Sequence, residues 1–147
     1  MLQVKNLSYE VIDNGETLKI IDDISFDVAD GEMLVITGPN GGGKSTLAKI
    51  IAGIIKPTSG KIYLDGEDIT DLSITERANK GISYAFQQPV RFKGITVKDL
   101  ISIAAGKDIS VAQACAYLSE VGLCAKEYVN REVNGSLSGG ELKRIEI

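Results

Sequence analysis

Nine consecutive residues combine the chemical groups that bind a phosphate chain. They hold two glycines five positions apart, then a lysine and hydroxyl residues, in the order Gly38-Pro39-Asn40-Gly41-Gly42-Gly43-Lys44-Ser45-Thr46. Glycine adopts positive φ at little steric cost, so successive backbone N–H groups can converge on phosphate oxygens. Lys44 adds positive charge at the β and γ phosphates, and the Ser45 hydroxyl can bind Mg²⁺. We therefore predict a site for a nucleoside triphosphate with Mg²⁺.

The residues on either side of this loop are predicted to form a strand and a helix. Residues 32–37 include a continuous apolar run, which is typical of a strand buried on both faces. After Ser45, apolar residues recur at helical spacing as far as Ile55, and Pro57 ends the pattern. A flexible glycine turn is the alternative interpretation of the loop. The order of strand, loop and helix favours phosphate binding, because the motif requires that context.

Outside the loop, short strand patterns are followed by helix starts. Strand patterns occur at residues 2–11, 19–28, 61–64 and 81–86, with turn signals at 13–15 and 65–66. Ser73 and Thr96 begin capping-box patterns, and Ser110 precedes an apolar helical face. The sequence between Gln87 and Leu137 therefore predicts a helical insert.

Two further sequence motifs, at residues 86–89 and 137–141, accompany the phosphate loop. Ser138 and Glu141 form a capping-box pattern, which alone indicates only the start of a helix. In a chain with a phosphate loop, however, Leu137-Ser138-Gly139-Gly140-Glu141 resembles the signature motif of ATP-binding cassette (ABC) ATPases. Phe86-Gln87-Gln88-Pro89 resembles the Q-loop of that family, and Tyr9 stands where the family has an adenine-stacking aromatic residue. The motifs follow the family order between residues 9 and 144.

The resemblance implies a role for each matching residue, with ATP and Mg²⁺ as cofactors. Tyr9 would stack on adenine; an ordinary strand aromatic is the alternative. Gln87 would join Ser45 at Mg²⁺, sense the γ-phosphate and act with Lys44 in catalysis. Residues 138–141 would face the ATP held by the phosphate loop of a second ABC subunit. A head-to-tail homodimer or heterodimer would then enclose two nucleotides.

The resemblance also implies an α/β fold, a P-loop NTPase core of ABC type with two additions. These are a small antiparallel β subdomain and an inserted α-helical subdomain. We expect one incomplete ABC domain over residues 1–147. Its parts would be the phosphate-loop core with the antiparallel strands (1–87), the helical insert (88–136), and the signature motif with its helix (137–147).

The family pattern continues beyond this sequence. In the family, a strand ending in a Mg²⁺-linked Asp and a catalytic Glu follows the signature, and a switch His comes later; this chain ends six residues after Glu141 and contains no His. We therefore expect the C-terminal core strands to be missing and the chain to be an N-terminal fragment. Because the general base is among the missing parts, the fragment alone should be inactive.

Composition narrows the possible partners. The chain has 16 basic and 20 acidic residues and a net charge of −4, which is the wrong sign for coating nucleic acid. No apolar run approaches the roughly 18 to 20 residues that span a bilayer, and no secretory signal is visible. We predict a cytoplasmic protein that reaches the inner face of a membrane only through a partner.

Two branches of the family, and one alternative outside enzymes, remain open. The subunit could energise transport by docking on a membrane permease, or it could act with a soluble iron-sulfur scaffold. The runs 86–90 and 138–147 resemble the Suf-type cluster-assembly ATPase, which slightly favours the second branch. A nucleotide-binding fragment without turnover is the alternative. Lys143 and Arg144 could contact phosphate, but we expect them to form a solvated charged face.

Overall fold

The computed structural model describes residues 1–147, apart from the side chain of Ala125. The chain forms two compact units, residues 1–84 and residues 85–147. The sequence places a boundary after Gln87, whereas the units divide after Tyr84. Among the described residues, no helix has the length and apolar character needed to span a membrane.

A four-stranded antiparallel sheet forms the frame of the first unit. Its strands are β1 (Leu2–Asp13), β2 (Glu16–Val28), β3 (Ser59–Leu64) and β4 (Glu67–Asp68), in the order β2-β1-β3-β4. Asn14 and Gly15 join β1 to β2 with φ of 49° and 86°. Positive φ at both central residues gives the type of turn that matches strand twist, so the turn predicted at 13–15 is confirmed and joins the two strands as a hairpin.

Two helices accompany this sheet, α1 (Lys44–Ile51) and α2 (Ile74–Asn79). Leu47 and Ile50 of α1 are buried against the sheet, as the helical spacing predicts. The core of the unit joins them to residues from β1, β2, β3 and the turn after β4: Val4, Leu7, Ile21, Leu47, Ile50, Ile62 and Ile69. Ser73 and Glu76 make the predicted capping box at α2.

The predicted strands at 32–37 and 81–86 are wrong for this structure. Within the described residues, neither segment joins the sheet. Met33 is 87% exposed and Val35 is 70% exposed. A strand buried on both faces needs hydrogen-bonded neighbours on each side and helices above and below. An apolar run indicates that a segment tends to be buried. Here the antiparallel sheet offers these two segments no neighbouring strand to pair with.

The second unit is helical. It contains α3 (Val97–Ala105), α4 (Val111–Glu120), α5 (Ala125–Tyr128) and α6 (Gly139–Glu146). Complete capping boxes begin α3 at Thr96 and α4 at Ser110, which confirms both predicted helix starts. The helices share one apolar core, made of Val97, Ile109, Ala114, Leu118, Leu123, Val129, Val133, Leu137 and Leu142. Leu142 anchors α6 in this core, so α6 is fixed within the second unit.

Candidate functional site

The loop before α1 has the backbone geometry that its glycines predict. Gly41 and Gly43 have φ of 82° and 79°, values that only glycine adopts readily. Gly43 is also held close to β2, because a Cβ built on it would lie 2.6 Å from the main-chain oxygen of Ile20. Glycine at position 43 is therefore required both by its φ and by the contact with β2.

The N-terminus of α1 differs from those of four other helices. Helices α2, α3, α4 and α6 each begin with a complete capping box, whereas Gly43 gives α1 no side-chain capping hydrogen bond. The first turn of α1 also contains no acidic residue. The first backbone N–H groups and the positive end of the helix dipole therefore have no side-chain acceptor or acidic residue of the first turn beside them, which suits an anion.

Lys44 lies across its own loop. Its Nζ donates hydrogen bonds to the main-chain oxygens of Gly38 (2.8 Å) and Pro39 (2.6 Å). The Gly42 amide also donates to the Pro39 oxygen, at 3.2 Å, which closes the turn. The ammonium group has three donors, so two bonds hold it over the loop and one remains for a ligand.

The other loop residues fit the proposed ligands. Ser45 is exposed in the first turn of α1, where its hydroxyl can reach a metal ion, and Thr46 is half-buried behind it. Asn40 is exposed at the tip of the loop. Cationic, hydroxyl and backbone N–H groups at one helix N-terminus form a donor set that fits a phosphate chain with Mg²⁺.

Tyr9 and the phosphate loop have a common neighbour, Ile21 of β2. It is half-buried in β1, packs against the core of the first unit and stands opposite Ile21 of β2. A Cβ on Gly43 would lie 3.3 Å from Cγ1 of the same Ile21. The structure thus brings Tyr9 and the phosphate loop to one region of the sheet.

The remaining predicted site residues belong to the second unit. Gln87 precedes α3, and residues 138–141 begin α6, whereas Ser45 lies in the first unit. The joint binding of Mg²⁺ by Ser45 and Gln87 stays a prediction. A cavity of about 440 Å³ is lined by residues from both motifs of the second unit: Gln88, Pro89, Arg91, Gly139 and Leu142.

The signature-like residues form a capped and open helix start. The Ser138 amide donates to Glu141 Oε2 (2.6 Å), and the Glu141 amide donates to Ser138 Oγ (3.3 Å). A Cβ on Gly139 or Gly140 would meet nothing within 4 Å, so another molecule has room to approach. The capping box is therefore present, and its open face is compatible with the role that the resemblance implies.

Tyr128 supports this helix start and was not identified from the sequence. Its hydroxyl donates to Glu141 Oε1 at 2.5 Å. This bond, followed by the bonds from Ser138, lowers the pKa of Glu141 to about 2. The same bond raises the pKa of Tyr128. No local pattern joins two residues 13 positions apart on different helices, so the sequence offered no signal for this pair.

Lys143 and Arg144 each donate a hydrogen bond to a main-chain oxygen outside α6. Lys143 donates to the main-chain oxygen of Phe86 and pairs with Glu146 (2.9 Å), which in turn accepts from the Phe86 amide (2.9 Å). Arg144 donates to the main-chain oxygen of Gly122 (3.1 Å). Arg144 is exposed, as expected for a solvated charged face, and Lys143 is half-buried. The bonds to Phe86 and Gly122 were not predicted, because these partners are distant in sequence.

Comparison with known proteins places these features in a family. A family model described as ABC transporter matches residues 21–147. An uncharacterized ABC transporter ATP-binding protein of Methanocaldococcus jannaschii is 42% identical over 88% of this chain and 55% of its own length. The probable ATP-dependent transporter ycf16 of Antithamnion sp. is 34% identical over 100% of this chain and 62% of its own length. The chain thus spans little more than half of these relatives.

Solved structures agree with the sequence relatives. A dimeric ATP-binding cassette in a post-hydrolysis state, bound to ADP and Pi, superposes with a TM-score of 0.85 at 25% identity. The match covers 99% of this chain and 67% of that cassette. The α/β fold of ABC type expected from the motifs is therefore confirmed. The phosphate loop, the order of the motifs and these matches show that the chain belongs to the ABC transporter family.

Proposed function

We propose that this chain binds ATP with Mg²⁺ at the loop 38–46. The observation that carries the proposal is the N-terminus of α1, which has no side-chain cap and is preceded by a glycine-rich loop. Lys44 and the first-turn N–H groups would hold the β and γ phosphates. Ser45, with Gln87, would hold Mg²⁺, which neutralises phosphate charge when it is bound. Tyr9 would stack on adenine.

The second part of the proposal concerns a partner subunit. Ser138, Gly139, Gly140 and Glu141 would approach the γ-phosphate bound to the loop of a second ABC subunit. The open face at Gly139 and Gly140 supports this arrangement, as does the likeness to a dimeric cassette. A helix N-terminus without bulky side chains can approach an anion closely. ATP would thus act as the link between two subunits.

We further propose that these 147 residues bind ATP without appreciable hydrolysis. Lys44 and Gln87, the candidate catalytic residues, supply charge and positioning. Neither is a general base that would take a proton from the attacking water. In the whole protein, hydrolysis would energise a partner complex. The isolated chain would be a nucleotide-binding unit.

The partner complex is a membrane permease or a soluble iron-sulfur scaffold. The transporter names of the relatives support the permease, and the runs 86–90 and 138–147 support the scaffold. Either partner would be met in the cytoplasm, with membrane contact only through the permease. Affinity purification of the tagged protein from its own locus, followed by mass spectrometry, distinguishes the two by the component that co-purifies.

Calorimetric titration with ATP and Mg²⁺ tests the binding proposal directly. We expect Lys44→Ala to abolish both the heat of binding and the ATP-induced rise in thermal stability. Lys49→Ala is the matched control, because it removes the same charge from the other end of α1. An ATP-induced stabilisation of equal size in Lys44→Ala would refute the assignment of the phosphate loop. Phosphate release by the wild-type chain would refute the absence of turnover.

A further inference from the structure

We propose that Arg77 is a positioning residue that fixes α1, and with it the phosphate loop, to the antiparallel sheet; the inference rests on the proposed function. Arg77 belongs to α2 and is 1% exposed, although it carries a charge. Its guanidinium makes four hydrogen bonds, and each one ends on a main-chain oxygen. A buried guanidinium needs such partners, because an unpaired buried charge is costly.

Two of these bonds hold the C-terminal end of α1. Nη1 of Arg77 donates to the main-chain oxygens of Ile50 and Ile51, at 2.7 Å each. The last carbonyls of a helix have no partner within the helix and form the negative end of its dipole. A cation with N–H donors placed there both bonds to these carbonyls and offsets the negative end of the dipole. Arg77 therefore acts as a C-terminal cap that comes from another helix.

The other two bonds hold the segment after β4. Nη2 donates to the oxygen of Thr70 (2.7 Å), and Nε donates to the oxygen of Leu72 (3.2 Å). Thr70 is itself tied to the sheet, because its hydroxyl accepts from the Ile62 amide of β3 at 2.9 Å. One side chain thus connects the end of α1, the segment after β4 and the core of the sheet.

The space around Arg77 is closely fitted. A Cβ on Gly53, just after α1, would lie 3.0 Å from Nε and 3.1 Å from Cδ of Arg77. A lysine at position 77 could not make all four of these hydrogen bonds. Guanidinium has five donors in a planar fork that can reach carbonyls on two sides, whereas an ammonium has three donors at one point.

The consequence for the proposed site follows from the geometry of α1. Eight residues form a rod of about 12 Å. Arg77 holds one end, and Lys44 and Ser45 occupy the other. If the held end moves, the loop end tilts, and the N–H groups of the first turn and the Lys44 ammonium no longer align with the phosphates. Arg77 would therefore set the position of the phosphate loop without touching the nucleotide.

The test measures the ATP dissociation constant of the full 147-residue chain, at a temperature where circular dichroism shows each variant to be folded. We expect Arg77→Met to bind ATP about tenfold more weakly, the order of effect of losing one well-aligned hydrogen bond, and Arg77→Lys to recover part of the loss. Lys80→Met is the matched control, because it removes an exposed charge at the end of the same helix and should bind like wild type.

Amide exchange separates positioning from simple destabilisation. The Leu47 amide donates to the Gly43 oxygen at the start of α1, so its exchange reports on the loop end of the helix. Faster exchange of the Leu47 amide in Arg77→Met, together with weaker binding, supports the proposal. A folded Arg77→Met that binds ATP as tightly as wild type overturns it. So does a variant whose exchange rises only at Ala52 and Gly53.

A measurement on the wild-type chain decides the matter if the variants do not fold. We expect saturating ATP to slow the exchange of the Arg77 Nε–H, detected by NMR, more than that of amides in α4 of the second unit. Equal slowing overturns the proposal. If wild type binds no ATP, the proposed function and this inference both fail; if wild type binds and Arg77→Met binds equally, only the inference fails.

Discussion

Gly43 lies directly against Ile20, so that a Cβ at position 43 would stand 2.6 Å from the main-chain oxygen of Ile20. The contact joins the last loop residue before α1 to the middle of β2. It also places the loop beside Ile21, the residue opposite Tyr9. The antiparallel hairpin is therefore the support on which the phosphate loop rests, as well as the element that carries the candidate adenine-stacking residue.

Replacement of Gly43 should lower the free energy of unfolding by more than replacement of a glycine that has positive φ but no close neighbour. An L-residue at positive φ costs roughly 1–2 kcal/mol, and Gly43→Ala must in addition displace Ile20. Gly15→Ala is the matched control, since Gly15 has φ of 86° but open space around its Cβ position. We expect urea titration to show a larger loss for Gly43→Ala, and calorimetry to show lost ATP binding only for Gly43→Ala. Equal losses in the two variants would contradict the importance of the contact.

The open start of α6 leads to a prediction for assembly. Ser138→Arg places a long cation where the second subunit would approach, while the phosphate loop of the same chain is unchanged. We expect this variant to bind ATP with normal affinity and to form no ATP-dependent dimer in sizing chromatography. Ser136→Arg, two residues before Ser138, is the control. Dimer formation by Ser138→Arg equal to that of wild type would argue against the composite site.

The pair of Tyr128 and Glu141 predicts a stability difference that depends on pH. The folded pKa of Glu141 is lowered from 4.5 to about 2, with the Tyr128 hydrogen bond as the largest cause. A lowered carboxyl pKa contributes stability that is complete above the unfolded pKa and is lost as pH falls through the folded pKa. Wild type should therefore be more stable than Tyr128→Phe near neutral pH, and the difference should shrink between pH 4.5 and about pH 2.

Thermal unfolding across this pH range measures the effect. Tyr117→Phe, at a half-exposed tyrosine of α4, controls for the loss of a hydroxyl. A difference between wild type and Tyr128→Phe that stays constant down to pH 2 would mean that the hydrogen bond does not depend on the ionised carboxylate.

The exposed apolar segment 33–36 predicts self-association. Contiguous exposed apolar residues that are not part of a paired strand promote contacts between molecules. We expect light scattering of the chain to rise with concentration and Val35→Lys to reduce that rise. Val111→Lys, at an exposed valine on α4, adds the same charge elsewhere and should have a smaller effect. An equal effect of the two substitutions would assign the association to net charge alone.

Features with local causes could be predicted from the sequence. Asn14-Gly15 specifies its hairpin turn, and Thr96 with Asp99 specifies the start of α3, because the interacting groups lie within three residues of each other. The phosphate loop belongs to the same class. Its function depends on glycine spacing and on the helix that follows, and both are visible in the sequence.

Features that depend on distant partners could not be predicted. Arg77 bonds to Ile50, 27 positions away, and Lys143 bonds to Phe86, 57 positions away. The strand predictions at 32–37 and 81–86 failed for a related reason. Apolar character reports a tendency to be buried, while strand formation requires neighbours that only the three-dimensional arrangement supplies.

The absence of a side-chain cap on α1 has a consequence for how long the folded chain persists. Four other helices complete their first turns with their own side chains, whereas α1 would be completed by a ligand. A ligand that binds only the folded state stabilises it by about 2.7 kcal/mol when its concentration is a hundred times the dissociation constant. The persistence of the folded chain would therefore follow the energy status of its surroundings, and nucleotide depletion would expose it to proteolysis.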